Sequence, residues 1–364
     1  MIPDPSNTLT TKSIVWFRKD LRLRDNPTLE FALANKREVI PVFIWDEEEG
    51  GRWSPGAASR WWLHQSLKSL AHSIQELGGC LILEKGKPEE TLPLLAKENG
   101  VDEVLYSRRY DPAGLATQEA VEEALDEGGI RTESFNASLL NEPWEIQNAS
   151  GKPFQVFTPY WRNCRNGIYK QPANYPIRNL SFIEKPTPRS SLDKLGLLPD
   201  HPWHEKLFSH WDVSEVAGQA QIAHSAIEIV PSYVSRRNTP SVDGTSRLSP
   251  YLAWGLISPR QVCNSVLQNE PDGSNRGENK FLAEIGWREF SYHLLYHFPR
   301  IPDQPLRPKY ASFPWLSDSK ALQDWKLGQT GYPLVDAGMR QLYETGWMHN
   351  RVRMVVASFL VKHL

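Results

Sequence analysis

The sequence predicts two folded units of different class. The first is an α/β unit built on a doubly wound, Rossmann-like parallel sheet, and the second is an all-α unit that is incomplete at its C-terminus. Short apolar runs alternate with amphipathic stretches up to residue 135, a pattern typical of parallel sheets covered by helices. Strand signals vanish after about residue 206, where helical periodicity dominates. A chain of 364 residues is long enough for about two domains.

The α/β unit is predicted to occupy residues 12–137. Helical periodicity between apolar runs indicates helices at 58–77, 89–98 and 117–126. The apolar runs themselves are expected to form strands at 13–17, 39–45, 80–83, 103–106 and 131–135. No Gly-x-Gly-x-x-Gly follows the first strand, so a nicotinamide dinucleotide site is poorly supported there.

Residues 138–205 are rich in Pro, Asn and Ser and are predicted to be a linker wrapped over the surface. The all-α unit is predicted at 206–364. Its helices are expected at 216–234, 250–255, 259–268, 280–296, 319–328, 333–344 and 347–364. The last pattern reaches Leu364 without a Gly or Asn stop, and its apolar stretch at 355–361 needs a partner surface. We therefore expect that the chain is cut inside its core.

Composition narrows the class of protein. Hydrophobic residues make up 40% and charged residues 23% of the chain, as in ordinary globular proteins. No apolar run approaches membrane-spanning length, and the polar N-terminus lacks a signal region. Three scattered cysteines match no metal or disulfide spacing, so we expect no metal and a cytoplasmic location. A net charge of −2 argues against a globally basic nucleic-acid coat.

A run of hydroxyl side chains precedes one predicted helix. Thr245, Ser246 and Ser249 lie just before it, with Ser249 expected as the N-cap and Pro250 as the first helical residue. Two interpretations remain open. The segment is either a simple capped helix start or a site where hydroxyls and free N–H groups hold a diphosphate. Tyr233, upstream, either closes the same pocket or belongs to the core.

The helix predicted at 280–296 places Glu284, Trp287, Arg288 and Ser291 on one stripe. One interpretation is an intrahelical ion pair between Glu284 and Arg288, worth about 0.3–0.5 kcal/mol. The other is a shared cavity for a base flipped out of DNA. There the indole would stack on the base while the carboxylate accepts hydrogen bonds from its edge.

The terminal helix repeats this arrangement. Asn350, Arg353, Met354 and Ala357 fall on one face. The amide can donate to and accept from a pyrimidine edge, and the thioether gives a soft contact to a ring. Arg351 lies on a neighbouring face and suits a phosphate. The alternative for each arginine is a solvated surface charge.

These segments give the chain a family resemblance along nearly its whole length. It resembles the photolyase/cryptochrome flavoproteins, and within them a class I cyclobutane pyrimidine dimer photolyase. The similarity rests on WFRKDLRLRDNP at 16–27, TSRLSPYLAWG at 245–255, EIGWREF at 284–290 and WMHNRVRM at 347–354. It implies an N-terminal antenna domain and a C-terminal helical domain that holds FAD. It also implies a family sequence that continues beyond residue 364, so this chain is expected to be C-terminally truncated and to bind FAD poorly by itself.

The resemblance assigns roles to individual positions. The residues implied to hold FAD are Tyr233, Thr245, Ser246, Arg247, Leu248, Ser249, Phe281, Arg288 and Arg353. Those implied to contact the dimer are Glu284, Trp287, Asn350 and Met354. The implied DNA-binding residues are Arg237, Glu284, Trp287, Arg288, Ser291, Asn350 and Arg351. Trp315 is implied to be the surface member of a tryptophan chain that transfers electrons to the flavin.

The implied activity is light-driven repair, in which reduced FAD passes an electron to a flipped pyrimidine dimer and the ring bonds between its bases break. The alternatives are a cryptochrome-like blue-light photoreceptor without repair activity and an ordinary nucleotide-binding α/β protein with a helical accessory domain. A second antenna chromophore is implied, either methenyltetrahydrofolate or 8-hydroxy-deazaflavin, which the loop at 107–112 does not distinguish. The expected partner is DNA containing pyrimidine dimers, and the expected state is a monomer.

Overall fold

The computed structural model describes residues 11–169, 177, 179–183, 190–269 and 276–364. The N-terminal unit alternates strands and helices. In chain order its elements are β1 (Lys12–Phe17), α1 (Pro27–Ala34), β2 (Glu38–Trp45), α2 (Ala57–Glu76), β3 (Ile82–Lys85), α3 (Pro88–Asn99), β4 (Glu103–Ser107), α4 (Pro112–Glu127) and β5 (Arg131–Phe135). A short strand from the following segment, β6 (Ser181–Phe182), joins the same sheet.

The strands form a parallel sheet in the order β3-β2-β1-β4-β5, with β6 beside the start of β2. The central strands are buried on both faces, which explains why they are continuous apolar runs rather than alternating ones. The predicted doubly wound parallel sheet is therefore confirmed. The strand order reverses at β1, which has β2 on one side and β4 on the other, so a crevice opens beyond the carboxyl ends of β1 and β4.

The second unit is helical, as predicted. One helix, α5 (Phe157–Cys164), lies in the segment between the two predicted units. The helices of the second unit are α6 (Glu215–His224), α7 (Tyr233–Arg236), α8 (Ser249–Ala253), α9 (Pro259–Asn269), α10 (Arg276–His297), α11 (Ser319–Leu327), α12 (Pro333–Thr345) and α13 (Asn350–His363). None of the described helices is long and apolar enough to cross a membrane.

Several elements differ from the sequence-based expectation. Helix α1 was not predicted, although Asn26 caps it by accepting from the N–H groups of Thr28 and Leu29 and Pro27 opens it. The single helix expected at 216–234 is interrupted by a π-turn at 225–229 and a 3-10 turn at 230–232. Pro231 lies in that interruption, and it lacks the N–H that a continuous helix would use.

The segment expected to be a surface linker is partly internal. Leu140 is buried in the main core, and α5 packs Tyr160 and Cys164 against Phe290 of α10. Proline and asparagine content indicated an irregular chain, but it did not indicate how deeply that chain is inserted. Residues 170–176, 178 and 184–189 of this segment lie outside the described residues.

The loop after β1 joins the two units. Arg22 is fully buried and donates to the carbonyl oxygens of Ala137 at 2.8 Å and of Gly255 at 3.1 Å. Gly255 has φ +71°, and a Cβ there would lie 2.1 Å from the carbonyl oxygen of Lys19. Only glycine permits this approach. One hydrophobic core continues from β1 through α10, so the units share an interior.

Candidate functional site

The hydroxyl-rich loop at 245–249 lies between α7 and α8. Ser249 is the first residue of α8 and Leu248 is its N-cap, without a side-chain capping bond. The expectation that Ser249 is the N-cap is therefore wrong by one residue. Among the residues described here, the hydroxyls of Thr245, Ser246 and Ser249 have no protein hydrogen-bond partner and remain free to donate to a ligand. Helix α8 has only five residues, so its dipole contributes little and the hydroxyls matter more.

The conformation of this loop is held by contacts on both sides. Gln221 Nε2 donates to the carbonyl oxygen of Ser246 at 2.9 Å. Arg247 adopts φ +50°, which is uncommon for a non-glycine residue. Its guanidinium lies 4.7 Å from the ring centroid of Trp347 and 3.6 Å from the carboxylate of Asp243. Hydroxyls without a protein partner beside an arginine form a donor set that fits a diphosphate.

Tyr233 of α7 and Phe281 of α10 form a buried aromatic pair. Both are buried, and their ring centroids lie 5.2 Å apart in an edge-to-face arrangement. Burial raises the pKa of Tyr233 to about 12, and the nearby charge of Glu284 adds to the rise. Tyr233 is therefore a core residue and a neighbour of Glu284, and its role in closing the pocket at the 245–249 loop stays a prediction.

The structure gives Glu284 a different partner from the one expected within its helix. Its Oε1 forms an ion pair with Nη1 of Arg237, which follows the last residue of α7. Arg288 instead donates to the carbonyl oxygen of Ser138 at 2.7 Å and lies 3.3 Å from Glu289. The intrahelical Glu284–Arg288 pair is therefore absent, and the structure does not bring the Arg288 guanidinium to Glu284.

Trp287 lies on an aromatic stack that was not predicted. Its ring is 3.8 Å from the ring of Phe157, centroid to centroid, with 9° between the planes. Trp161 continues the stack, and it packs so close to α10 that a Cβ on Gly286 would lie 2.3 Å from its ring. The Trp287 side chain is still 46% exposed, so a stacking surface faces outward. The exposed Ser291 donates its hydroxyl hydrogen bond to the carbonyl oxygen of Trp287 at 2.9 Å.

Helix α13 presents Asn350, Arg353 and Met354 together on an exposed face, as its periodicity predicted. Arg351 Nε donates to Oδ1 of Asn238 at 2.7 Å, and its Nη1 lies 3.3 Å from the sulfur of Met354. Since Asn238 follows Arg237, a polar connection runs from Glu284 on α10 to Arg351 on α13. This connection passes through the turn at Arg237 and Asn238. The groups on α13 are exposed rather than enclosed, so a cavity shared by the two helices stays a prediction.

The remaining predicted residue, Trp315, lies apart from this cluster. Its side chain is 67% exposed, and its ring centroid is 4.7 Å from that of Phe313. His349, which the sequence interpretation passed over, is buried and caps α13 by accepting from the N–H of Arg351 at 3.1 Å. Burial lowers the pKa of His349, and the charge of Arg351 adds to that effect.

A cavity of about 500 Å³ lies in the crevice beyond β1 and β4. Four indoles line it, those of Trp16, Trp45, Trp53 and Trp254. Arg18 also lines it, is only 5% exposed, and stacks over the Trp16 ring at 4.4 Å.

One polar group in this cavity lacks a partner. Arg18 Nη2 donates to the carbonyl oxygen of Gly114 at 2.8 Å, while its Nη1 has no hydrogen-bond partner among the described residues. Burial lowers the pKa of Arg18 to about 10, and Arg109 contributes to that shift. Arg109 and Asp111, from the loop at 107–112, also line the cavity. The loop therefore contributes two charged side chains to this cavity.

Comparisons with known proteins agree with this architecture. Residues 13–177 match the family model for DNA photolyase, and residues 281–364 match the model for the FAD binding domain of DNA photolyase. The chain is 41% identical to a deoxyribodipyrimidine photo-lyase of Agrobacterium fabrum, over 98% of this chain and 74% of that protein. The chain belongs to the photolyase/cryptochrome family.

The chain is similar both to photolyases and to cryptochromes. It is 38% identical to cryptochrome-2 of Arabidopsis thaliana, over 97% of this chain and 60% of that protein. A crystal structure of a class III photolyase from Agrobacterium tumefaciens superposes with a TM-score of 0.92 at 39% identity, covering all of this chain and 75% of that one. The class I assignment stays a prediction.

Proposed function

We propose that the chain is a deoxyribodipyrimidine photo-lyase, which uses blue or near-UV light to split cyclobutane pyrimidine dimers in DNA. The observation that carries the proposal is the polar connection from Glu284 through Arg237 and Asn238 to Arg351, beside the hydroxyl loop. The enzyme name of the 41% identical relative supports it. When bound, reduced and excited, FAD would supply the electron that breaks the ring bonds of the dimer, while the protein binds, orients and excludes water.

Each side chain proposed to bind the substrate suits one part of a flipped dimer or of its DNA backbone. The outward ring of Trp287, fixed from behind by Phe157, offers a stacking surface for a base. The Glu284 carboxylate accepts a hydrogen bond from the base edge. Asn350 and Met354, on the exposed face of α13, would approach the same base from the other helix. Arg351, exposed Ser291 and the neighbouring backbone are suited to DNA phosphates.

The FAD residues are proposed from their chemistry. Thr245, Ser246, Arg247 and Ser249 would hold the diphosphate through hydroxyls, N–H groups and a guanidinium. Buried Leu248, Tyr233 and Phe281 would support the loop and one side of the cofactor. Arg353 would face the flavin from α13. Arg288 is bound to Ser138 and Glu289, so its contribution would be to hold α10 against the preceding segment.

The cavity beyond β1 and β4 is proposed to hold the second chromophore. Four indoles and an arginine with an unpartnered Nη1 fit a planar heterocycle that carries a carbonyl acceptor, which both folates and deazaflavins do. Titration with methenyltetrahydrofolate and with a deazaflavin, followed by absorbance, identifies the ligand. Arg18→Met is expected to weaken its binding at least about tenfold, because a charged donor in a buried site is lost. Equal binding by the variant would contradict this role.

Repair activity itself is tested with light. FAD is added in excess because the exposed face of α13 predicts weak retention, and a dimer-containing oligonucleotide is incubated with reductant in the dark or under blue light. Light-dependent loss of the dimer is expected. Glu284→Ala should lower the yield about tenfold while its affinity for undamaged DNA stays within about twofold, since phosphates provide most of that affinity. Glu344→Gln, an exposed surface change, serves as control.

A cryptochrome-like photoreceptor without repair activity is the second candidate, favoured by the 38% identity to an Arabidopsis cryptochrome. It predicts that the chain binds FAD and undergoes photoreduction but leaves the dimer intact under light. Within the photolyases, the similarity to a class III structure supports placing the chain nearer that class than class I. A chain that binds no flavin under any condition would remove both candidates.

A further inference from the structure

Arg237 lies in a position that does not suit the phosphate contact expected of it. Its side chain is only 8% exposed, whereas that of its partner Glu284 is 29% exposed. The guanidinium carbon lies 5.0 Å from the ring centroid of buried Tyr233. The charged end of Arg237 is therefore inside the protein, and the carboxylate lies on the solvent side of the pair.

Moving Arg237 out to a phosphate would break this buried pair. It would leave the partner carboxylate without its cation and remove the guanidinium from the ring of Tyr233. Both changes cost interaction free energy, because the site is partly desolvated. Arg351 has no such restraint, because its contacts are to the exposed Asn238 and Met354. Of the two arginines, Arg351 is the one available to the DNA backbone.

The pair also determines what Glu284 can recognise. Its Oε1 is occupied by Arg237 Nη1, whereas Oε2 has no protein partner among the residues that the structure describes. A carboxylate held by a cation is an acceptor only, because it carries no proton to donate. The free oxygen therefore matches a base edge that presents an N–H.

We propose that Arg237 is a positioning residue: it holds Glu284 as an acceptor aimed at the imide N3–H of a thymine-type or uracil-type dimer. This inference rests on the proposed repair function, and it goes beyond that function by assigning the residue that holds the Glu284 carboxylate in place. The imide is the group that distinguishes these bases from cytosine, whose N3 is an acceptor and would be repelled by the free oxygen.

The test uses the full chain with excess FAD in the dark, so that no substrate is consumed. Fluorescence anisotropy gives the Kd for three oligonucleotides: undamaged, with one thymine dimer, and with the same dimer methylated at N3. In the methylated dimer a methyl group replaces the hydrogen of each imide donor, and the Arg237 variants show whether the preference depends on the held carboxylate rather than on the bulk of that methyl group. The wild-type chain is expected to prefer the unmethylated dimer by about tenfold or more, as for one hydrogen bond to a charged group.

Arg237→Met should reduce this preference to about twofold or less, without changing the affinity for undamaged DNA or its salt dependence. Arg236→Met is the matched control, because it removes an exposed arginine from the same turn and should keep the preference. Where Arg237→Met does not fold, Arg237→Gln retains a donor without the charge, and the same fall in preference is expected.

Three results separate the possibilities. Arg237→Met could keep the preference for the unmethylated dimer while the slope of its log binding constant against log salt concentration falls by about one. In that case Arg237 is a phosphate contact and the inference is overturned. If the wild-type chain prefers the dimer over undamaged DNA but ignores N3 methylation, the inference fails and the repair function stands. If the wild-type chain does not prefer the dimer at all, the proposed function fails.

Discussion

A buried carboxyl on α10, that of Glu289, should make the stability of this protein depend on pH. Its side chain is 1% exposed. The N–H of Leu140 donates to Oε2 at 2.8 Å, and Arg288 Nη1 lies 3.3 Å from Oε1. Burial raises the pKa of Glu289 from 4.5 to about 7, and the charges of Arg288 and Arg260 offset only part of that rise. Glu289→Gln removes the charge while keeping the shape and an acceptor for Leu140.

The sign follows from proton binding. Between pH 4.5 and about 7 the folded state keeps a proton on Glu289 that the unfolded state has lost, so stability falls as the pH rises through this window. The difference between 4.5 and about 7, at about 1.4 kcal/mol per pH unit, amounts to about 3 kcal/mol. His293 on the same helix acts oppositely. Burial lowers its pKa to about 4, so its stabilising effect is lost as the pH falls from 6.5.

The assay is urea unfolding followed by tryptophan fluorescence at several pH values from 4.5 to 8. His293 is present in both proteins, so its effect cancels in the difference between wild type and Glu289→Gln. Relative to the wild type, the free energy of unfolding of Glu289→Gln should rise by about 3 kcal/mol as the pH increases from 4.5 to about 7. Glu205→Gln, a change at an exposed position, should show no such gain. Parallel curves for wild type and Glu289→Gln would refute the argument that burial controls this carboxyl.

Three further substitutions probe packing around the site. Phe157→Leu should lower the free energy of unfolding in urea by about 1 kcal/mol, because the stacked ring 3.8 Å from Trp287 is lost. It should also weaken dimer binding, and an unchanged Kd for the dimer would contradict the proposal that Phe157 supports the stacking surface of Trp287. Arg22→Met should cost about 3 kcal/mol or more, since buried carbonyl groups in both units lose a charged donor; a loss under about 1 kcal/mol would argue against it. Gly286→Ala should destabilise by about 1–3 kcal/mol, because its methyl group would overlap the ring of Trp161; a gain in melting temperature, as helix propensity alone predicts, would overturn that expectation.

Most of the sheet could be predicted from the sequence, because its strands are read from local patterns. The continuous apolar run of β2 (Glu38–Trp45) was placed within one residue, since a strand buried on both faces must be apolar at every position. Helix α4 was placed less well. Its start at Pro112, capped by Asp111, lies five residues before the expected Thr117, because the first turn carries little amphipathic signal.

The candidate site was predicted as a set of residues but not as a set of contacts. The spacing within α13 correctly placed Asn350, Arg353 and Met354 on one face, because helix geometry fixes which neighbours share a face, but it did not indicate that this face is exposed. The same reasoning paired Glu284 with Arg288, where the structure pairs it with Arg237. Helical spacing identifies which residues are within reach, but it does not determine which of several cations is closest.

The sequence by itself determined the family, the two kinds of unit and the residues that carry chemistry, since these depend on residue types and on periods of a few positions. Only the tertiary structure decided that Phe157 supports Trp287, that Arg237 is buried against Glu284, and that Arg18 points an unpartnered nitrogen at a cavity. These partners come from segments distant along the chain. Their meeting depends on how whole elements pack, and packing depends on the shape of the entire core rather than on any local pattern.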